Sequence, residues 1–193
     1  MVDDDQPADA LSRFEAVYQA HYGAVAAYVR RRTIDPGDAQ DAVAETFTIA
    51  WRRMQEVPDA DGALPWLYGV ARRVLANQRR GNRRRDDLST RMRGQQPASV
   101  DVESDVIASA ERRAVVAALA RLRDPDQEIL RLAVWEERPH REIAQVVGCS
   151  EASVAVRLHR ARTRLGREIG KEDRRVGQED PEGSRRRAEG LGQ

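Results

Sequence analysis

The chain holds one cysteine in 193 residues, which excludes an internal disulfide and makes an intracellular home the easier reading. Aromatics are sparse, at 5%, and the hydrophobic set reaches 40% against 34% charged residues. With a mean hydropathy of −0.70, that material suffices for small cores and not for one thick α/β core. No run approaches the roughly eighteen apolar residues of a membrane span. The amino-terminal MVDDDQPADA carries four Asp and no apolar stretch, so no secretory signal is visible. Catalytic apparatus is missing too. His21, His140 and His159 are scattered, and no metal-ligand spacing, Gly-rich phosphate loop or nucleophile elbow occurs. We therefore expect no enzyme, no catalytic residue, no metal and no cofactor.

Lysine is nearly absent: of 33 basic residues only Lys171 is Lys, a skew that reads equally as a GC-rich genome or as a functional choice. The net charge of +1 says little, but its distribution says more. Residues 72–85 hold seven Arg and no acid, whereas residues 33–63 hold seven acids against Arg52 and Arg53. A basic block beside an acidic helix points to two different partners, one of them a polyanion.

The periodicity is helical almost throughout, with no alternating β-branched run. Leu11, Phe14, Val17, Tyr18, Tyr22, Val25, Tyr28 and Val29 form one apolar stripe, and SRFE at 12–15 has capping-box spacing. DPGD at 35–38 reads as an N-cap, a first-turn Pro and an acid near the dipole's positive end. A third helix begins at Leu64-Pro65 and runs into the Arg block. Residues 86–104 lack a stable period and read as a flexible linker. Helical pattern resumes at Val106 with Val115, Val116, Leu119 and Leu122, then restarts at Asp124-Pro125 with Ile129, Leu130, Leu132 and Trp135. Residues 1–10 and 170–193 are expected to be disordered.

Residues 139–165 are the most informative. Ile143, Ala144 and Val147 form the inner face of a short helix; Gly148 follows where a left-handed residue is wanted, with Cys149 as a small turn filler. Ser150 caps the next helix, whose buried side is Val154, Leu158, Ala161 and Leu165. This is a helix-turn-helix pattern, whose second helix enters the major groove. Its solvent side presents Ser153, Arg157, Arg160, Arg162, Arg164 and Arg167, suited to phosphates and one or two guanine contacts. An Arg-rich solvated face on an ordinary hairpin is the competing reading.

At this point a family becomes recognisable. Residues 139–162 (PHREIAQVVGCSEASVAVRLHRAR) resemble the DNA-binding domain of bacterial RNA polymerase sigma factors of the extracytoplasmic-function (ECF) group. DAQDAVAETF at 38–47 with AWR at 50–52 resembles that family's polymerase-binding helix, and LPWLYGVARR at 64–73 its promoter-opening helix. The resemblance implies an all-α chain of two small helical domains: a region-two-like domain at 11–85, the linker, and a region-four-like helix-turn-helix bundle at 105–169.

It also implies roles. Core RNA polymerase would dock on Asp38, Asp41, Glu45 and Arg52; Phe47 and Trp51 beside them read as core. The proximal promoter element would meet Arg72, Arg73, Asn77, Arg79 and Arg80, with Gln78 nearby. Arg83, Arg84 and Arg85 are either contacts or a basic linker. The loop at 56–63 would capture a base flipped from the melted non-template strand. Trp66 and Tyr68 are candidate stacking partners, with core the favoured reading for Trp66 at its helical spacing. The distal element would be read in duplex DNA by Ser153, Arg157, His159, Arg160, Arg162 and Arg164. Glu151, Ala155 and Val156 depart from the commoner family pattern, so the resemblance carries DNA binding but no particular distal sequence. An anti-sigma factor is a further candidate partner, no membrane is involved, and a cytoplasmic, nucleoid-associated location is expected. The alternative is a helix-turn-helix regulator that binds duplex operator without docking on polymerase. Promoter sequence, regulon and inducing signal are not written in the chain.

Overall fold

The computed structural model describes residues 6–90 and 109–176, and every regular element among them is helical. Seven α-helices follow in order: α1 Gln6–Arg30, α2 Pro36–Arg52, α3 Ala63–Thr90, α4 Ser109–Ala120, α5 Asp124–Val134, α6 His140–Val147 and α7 Glu151–Val176. Two 3-10 turns, Met54–Glu56 and Ala60–Gly62, join α2 to α3. Contacts divide these elements into two compact units. One holds α1, α2, α3 and Arg141–Cys149; the other holds α4, α5 and α7. Ile143, Ala144 and Val146 form the buried face of α6.

Helix ends differ from expectation where stop signals are weak. The start expected near Ser12 lies at Gln6, because Pro7, Asp9 and flanking alanines already suit a first turn. Residues 6–10 are thus helical, and residues 1–5 lie outside the described residues. Residues 86–90, expected in the linker, continue α3, since no Pro or Gly interrupts them; the rest of the linker lies outside the described residues. Likewise α7 continues through Val176, and the expected disorder of 177–193 lies outside them.

In the first unit α1, α2 and α3 pack mutually. Val25, Tyr28 and Val29 meet Ala42, Phe47 and Ala50 of α2 and Leu67, Tyr68, Ala71 and Val74 of α3 in one buried core. The small residues on α2 let helix axes approach closely. Tyr28 stacks on Tyr68 with ring centroids 4.6 Å apart, and the Arg32 guanidinium lies 3.5 Å from the Tyr28 centroid. Asp35 starts α2 by accepting the Asp38 N–H at 2.9 Å, with Pro36 in the first turn.

In the second unit α4 and α5 both pack on α7. Leu119, Leu122, Ile129, Leu132, Val154, Leu158 and Ala161 are buried. The Gln127 side chain donates to the Leu122 carbonyl at 2.8 Å, closing the end of α4. Val115, Val116 and Trp135, counted above on apolar faces, are exposed. Three helices around so small a core cannot bury every apolar position. Ile129→Ala should cost about 2–5 kcal/mol in urea unfolding, whereas Val156→Ala on the exposed side of α7 should stay within about 0.5 kcal/mol.

Candidate functional site

The acidic face of α2 is a single line. Asp38, Asp41, Glu45 and Arg52 recur at steps of three, four and seven, and Asp41, Glu45 and Arg52 are exposed. Asp38 differs: its backbone carbonyl accepts from Gln78 Nε2 at 3.3 Å and its carboxylate from Asn82 Nδ2 at 3.2 Å. It ties α2 to α3 and presents less charge to solvent. Gln78, suggested above for DNA, is spent on the same tie. Phe47 is buried as expected, but Trp51 is 44% exposed. Trp51 meets Phe14 edge-on at 5.3 Å, and Phe14, Tyr18, Phe47 and Tyr22 continue the ring contacts. The ladder borders a groove of about 390 Å³ between α1 and α2, which Tyr18, Tyr22 and Gln40 help to line. Half-exposed tyrosines within an apolar stripe were the signal for this surface, which the sequence reading assigned wholly to core.

On α3 the basic residues occupy two faces. Arg73, Asn77 and Arg80 share one, exposed along its length, while Arg72 and Arg79 share another. Arg80 donates to the Asn77 side-chain oxygen, Arg73 Nε to the Gly69 carbonyl at 3.1 Å, and Arg79 Nη2 to the Arg32 carbonyl at 3.2 Å. Arg79 therefore helps to close the end of α1. The side chains of Arg83, Arg84 and Arg85 lie outside the described residues.

The loop before α3 is firmly held. Met54, Val57 and Ala63 are buried, with Phe14, Val17 and half-buried Trp66 packed against them. Arg13 reaches across from α1, donating through Nη2 to the Val57 carbonyl and to Asp59 Oδ1, both at 2.6 Å. Its Nη1 donates to the Met54 carbonyl at 3.4 Å. A Cβ on Gly62 would sit 2.6 Å from that of Pro58, so only glycine closes this turn. Arg53 donates Nε to Glu56 at 2.8 Å; that hydrogen bond, with the attraction of the charge, holds the Glu56 carboxyl below the ordinary carboxylate range. The Arg53 guanidinium also lies 5.8 Å from the Trp66 ring centroid. Tyr68, proposed above for base stacking, is only 2% exposed and stacked on Tyr28, so it has no face free for a base. Arg13 was missed because its partners lie more than forty residues away in sequence.

The turn between α6 and α7 has the local chemistry read from the sequence. Gly148 is left-handed at φ 71, and the N–H groups of Gly148 and Cys149 both donate to the Ala144 carbonyl, at 2.9 and 3.1 Å. Ser150 Oγ accepts the Ser153 N–H at 3.2 Å, and the two hydroxyls are 2.8 Å apart. Along α7, Ser153, Arg157, Arg160, Arg164 and Arg167 form one stripe, but Arg162 lies about 160° round the helix from Arg160. His159 and Val156 are exposed between these flanks. Arg164, expected to face DNA, donates to Asp126 Oδ2 at 2.5 Å and ties α7 to α5. The six distal candidates thus divide among three faces of one helix. No group of metal-ligating side chains occurs among the described residues.

Two family models match the chain: "Sigma-70 region 2" at residues 17–85 and "Sigma-70, region 4" at residues 112–165. It is 29% identical over 147 residues to the "ECF RNA polymerase sigma factor SigL" of Mycobacterium tuberculosis, covering 76% of this chain and 82% of that protein. It is 26% identical over 159 residues to the "RNA polymerase sigma factor YlaC" of Bacillus subtilis, covering 81% and 92%. Among solved structures, the sigma factor RpoE of Bartonella quintana in complex with the anti-sigma factor NepR shares the fold with a TM-score of 0.65 at 22% identity. That match covers 81% of this chain and 96% of RpoE. CnrH in complex with the cytosolic domain of CnrY matches with a TM-score of 0.58 at 22% identity, covering 82% and 88%.

The grip of Arg13 on the loop is directly measurable. Arg13→Ala should cost about 1–3 kcal/mol and speed amide exchange across residues 54–62 while α2 and α3 keep their protection. Unchanged loop exchange would assign the loop's order to Met54 and Val57 alone.

Proposed function

Because this chain belongs to the ECF group of RNA polymerase sigma factors, we propose how its surfaces divide the work of that family. It binds core RNA polymerase and recognises promoter DNA. Within that function, Asp41, Glu45 and Arg52, with Asp38 at the head of the line, form the docking stripe for polymerase. The half-exposed aromatics Tyr18, Tyr22 and Trp51 adjoin it. Carboxylates give the encounter its long-range attraction and orientation, and the aromatic edge contributes apolar area.

Promoter opening then follows from differential affinity. Arg72, Arg73, Asn77, Arg79 and Arg80 hold the proximal element, and the clamped loop at 54–62 receives an extruded base. Extrusion costs a few kcal/mol, so a loop already rigid before binding loses little further entropy when it captures the base. Strand separation is favoured because the opened strand gains these contacts and the duplex does not. The face of α7 carrying Val156, His159 and Arg160 would meet the distal element.

Two region matches in the family's order carry this reading. A regulator that binds duplex operator needs the second region only and leaves the match at residues 17–85 without purpose. RpoE was solved with an anti-sigma factor, and a partner of that class is part of the proposal for this chain. No helix among the described residues is long and apolar enough to cross a membrane, and work on promoters places the protein at the nucleoid.

Co-elution of the protein with core polymerase, followed by promoter-dependent transcription, tests the assignment; a protein that does neither overturns it. The double variant Asp41→Lys, Glu45→Lys should lose polymerase capture while its helical circular dichroism and melting stay as in the parent. Normal transcription by that variant would move the docking surface elsewhere.

A further inference from the structure

The segment between α1 and α2 carries a pattern that none of the surfaces assigned above uses. Residues 31–35 lie outside both helices. Of all the serines and threonines in the chain, only Thr33 and Thr163 follow an arginine by three positions, and only Thr33 also follows one by two. Those two arginines, Arg30 and Arg31, are exposed, whereas Arg32 is buried against the Tyr28 ring. On the other side of Thr33 stands Ile34, at 73% the most exposed large apolar side chain among the described residues. Thr33 itself is half-buried, and its hydroxyl donates to the Val29 carbonyl in the last turn of α1 at 3.0 Å. Thr163 lies well inside α7 and is followed by Arg164, which is tied to Asp126.

We propose that Thr33 is a phosphorylation site for a basophilic, ATP-dependent protein kinase, with Arg30 and Arg31 as the recognised cations and Ile34 as the apolar anchor after them. Kinases choose substrates in part by charge pattern, and two exposed guanidiniums suit an acidic substrate groove through charge-assisted hydrogen bonds. The substrate must also lie extended across the kinase. Residues 33–35 are already free of helix, and only the fraying last turn of α1 has to open; Thr163 would require breaking α7 in its middle. In the transfer, Thr33 Oγ1 attacks the γ-phosphorus of ATP and a new O–P bond forms. The bond from that phosphorus to the bridging oxygen breaks, ADP leaves, and the hydroxyl proton passes to the carboxylate base of the kinase. The product carries about −1.5 to −2 charges one residue from the Arg32 carbonyl, where Arg79 Nη2 sits at 3.2 Å. A dianion is a stronger acceptor for that guanidinium than a neutral carbonyl, and it repels the DNA backbone. Phosphorylation thus draws Arg79 from the proximal element and weakens promoter opening. That consequence rests on the role proposed above for Arg79; the modification site does not.

The full chain, incubated with ATP and a purified kinase that takes Arg-Arg-x-Ser/Thr peptides, should gain one phosphoryl group, mapped to Thr33 by fragmentation mass spectrometry. Thr33→Ala should abolish the reaction and Thr33→Ser restore it. The double variant Arg30→Gln, Arg31→Gln should slow it about ten- to a hundredfold, with helical circular dichroism as in the parent. A chain that takes no phosphate, phosphate found on Thr163 instead, or Thr33→Ala modified as fast as wild type overturns the site. Polymerase reconstituted with the phosphorylated chain should open promoter DNA about tenfold more weakly, while kinase-treated Thr33→Ala opens it as the untreated parent does. Equal opening by the two forms overturns the coupling through Arg79. An untreated chain that supports no opening overturns the promoter reading, and the mapped phosphate then still decides the site.

Discussion

A helix in a small domain has one face to give to the core, and that constraint governs this protein. Each unit buries a narrow apolar stripe from three helices, and the remaining faces stay in water. Charge is free to gather there because it is not desolvated: the α2 acids and the α3 and α7 arginines stand mostly exposed. Exposed charge contributes little to stability. Its value lies in long-range recognition, where potentials of opposite sign on separate surfaces select different partners.

Where a charged side chain is partly or wholly buried, it holds structure. Asp126 ties α5 to α7 through Arg164, Arg32 lies against the Tyr28 ring, and Arg13 closes the loop before α3. Asp126 and Arg13 join segments that backbone hydrogen bonding leaves separate, whereas Arg32 acts within the end of α1. The arginine-rich composition therefore covers two populations: guanidiniums that hold the fold, such as Arg13 and Arg164, and guanidiniums that stay in solvent, such as Arg157 and Arg160.

This division bears on both promoter elements. On α3, Arg73, Asn77 and Arg80 lie exposed on a face away from the core. On α7 the outward face carries Val156 with His159 and Arg160 on either side of it, and in protein–DNA interfaces generally the backbone contacts position the protein while a few side chains discriminate.

Helix positions, the Asp35 and Ser150 caps, the left-handed Gly148 and the family's two regions were legible in the chain, because all depend on residues within a few positions of one another. So was the acidic line on α2, since three- and four-residue steps place carboxylates on one face whatever that helix packs against. What tertiary structure decided was which members of each line remain available. Tyr68 went to Tyr28, Arg164 to Asp126, Asp38 to Asn82, and Trp51 stayed half in water although its spacing read as core. Those outcomes depend on partners from 37 to 44 residues distant, and local periodicity reports only that a face exists, not what approaches it.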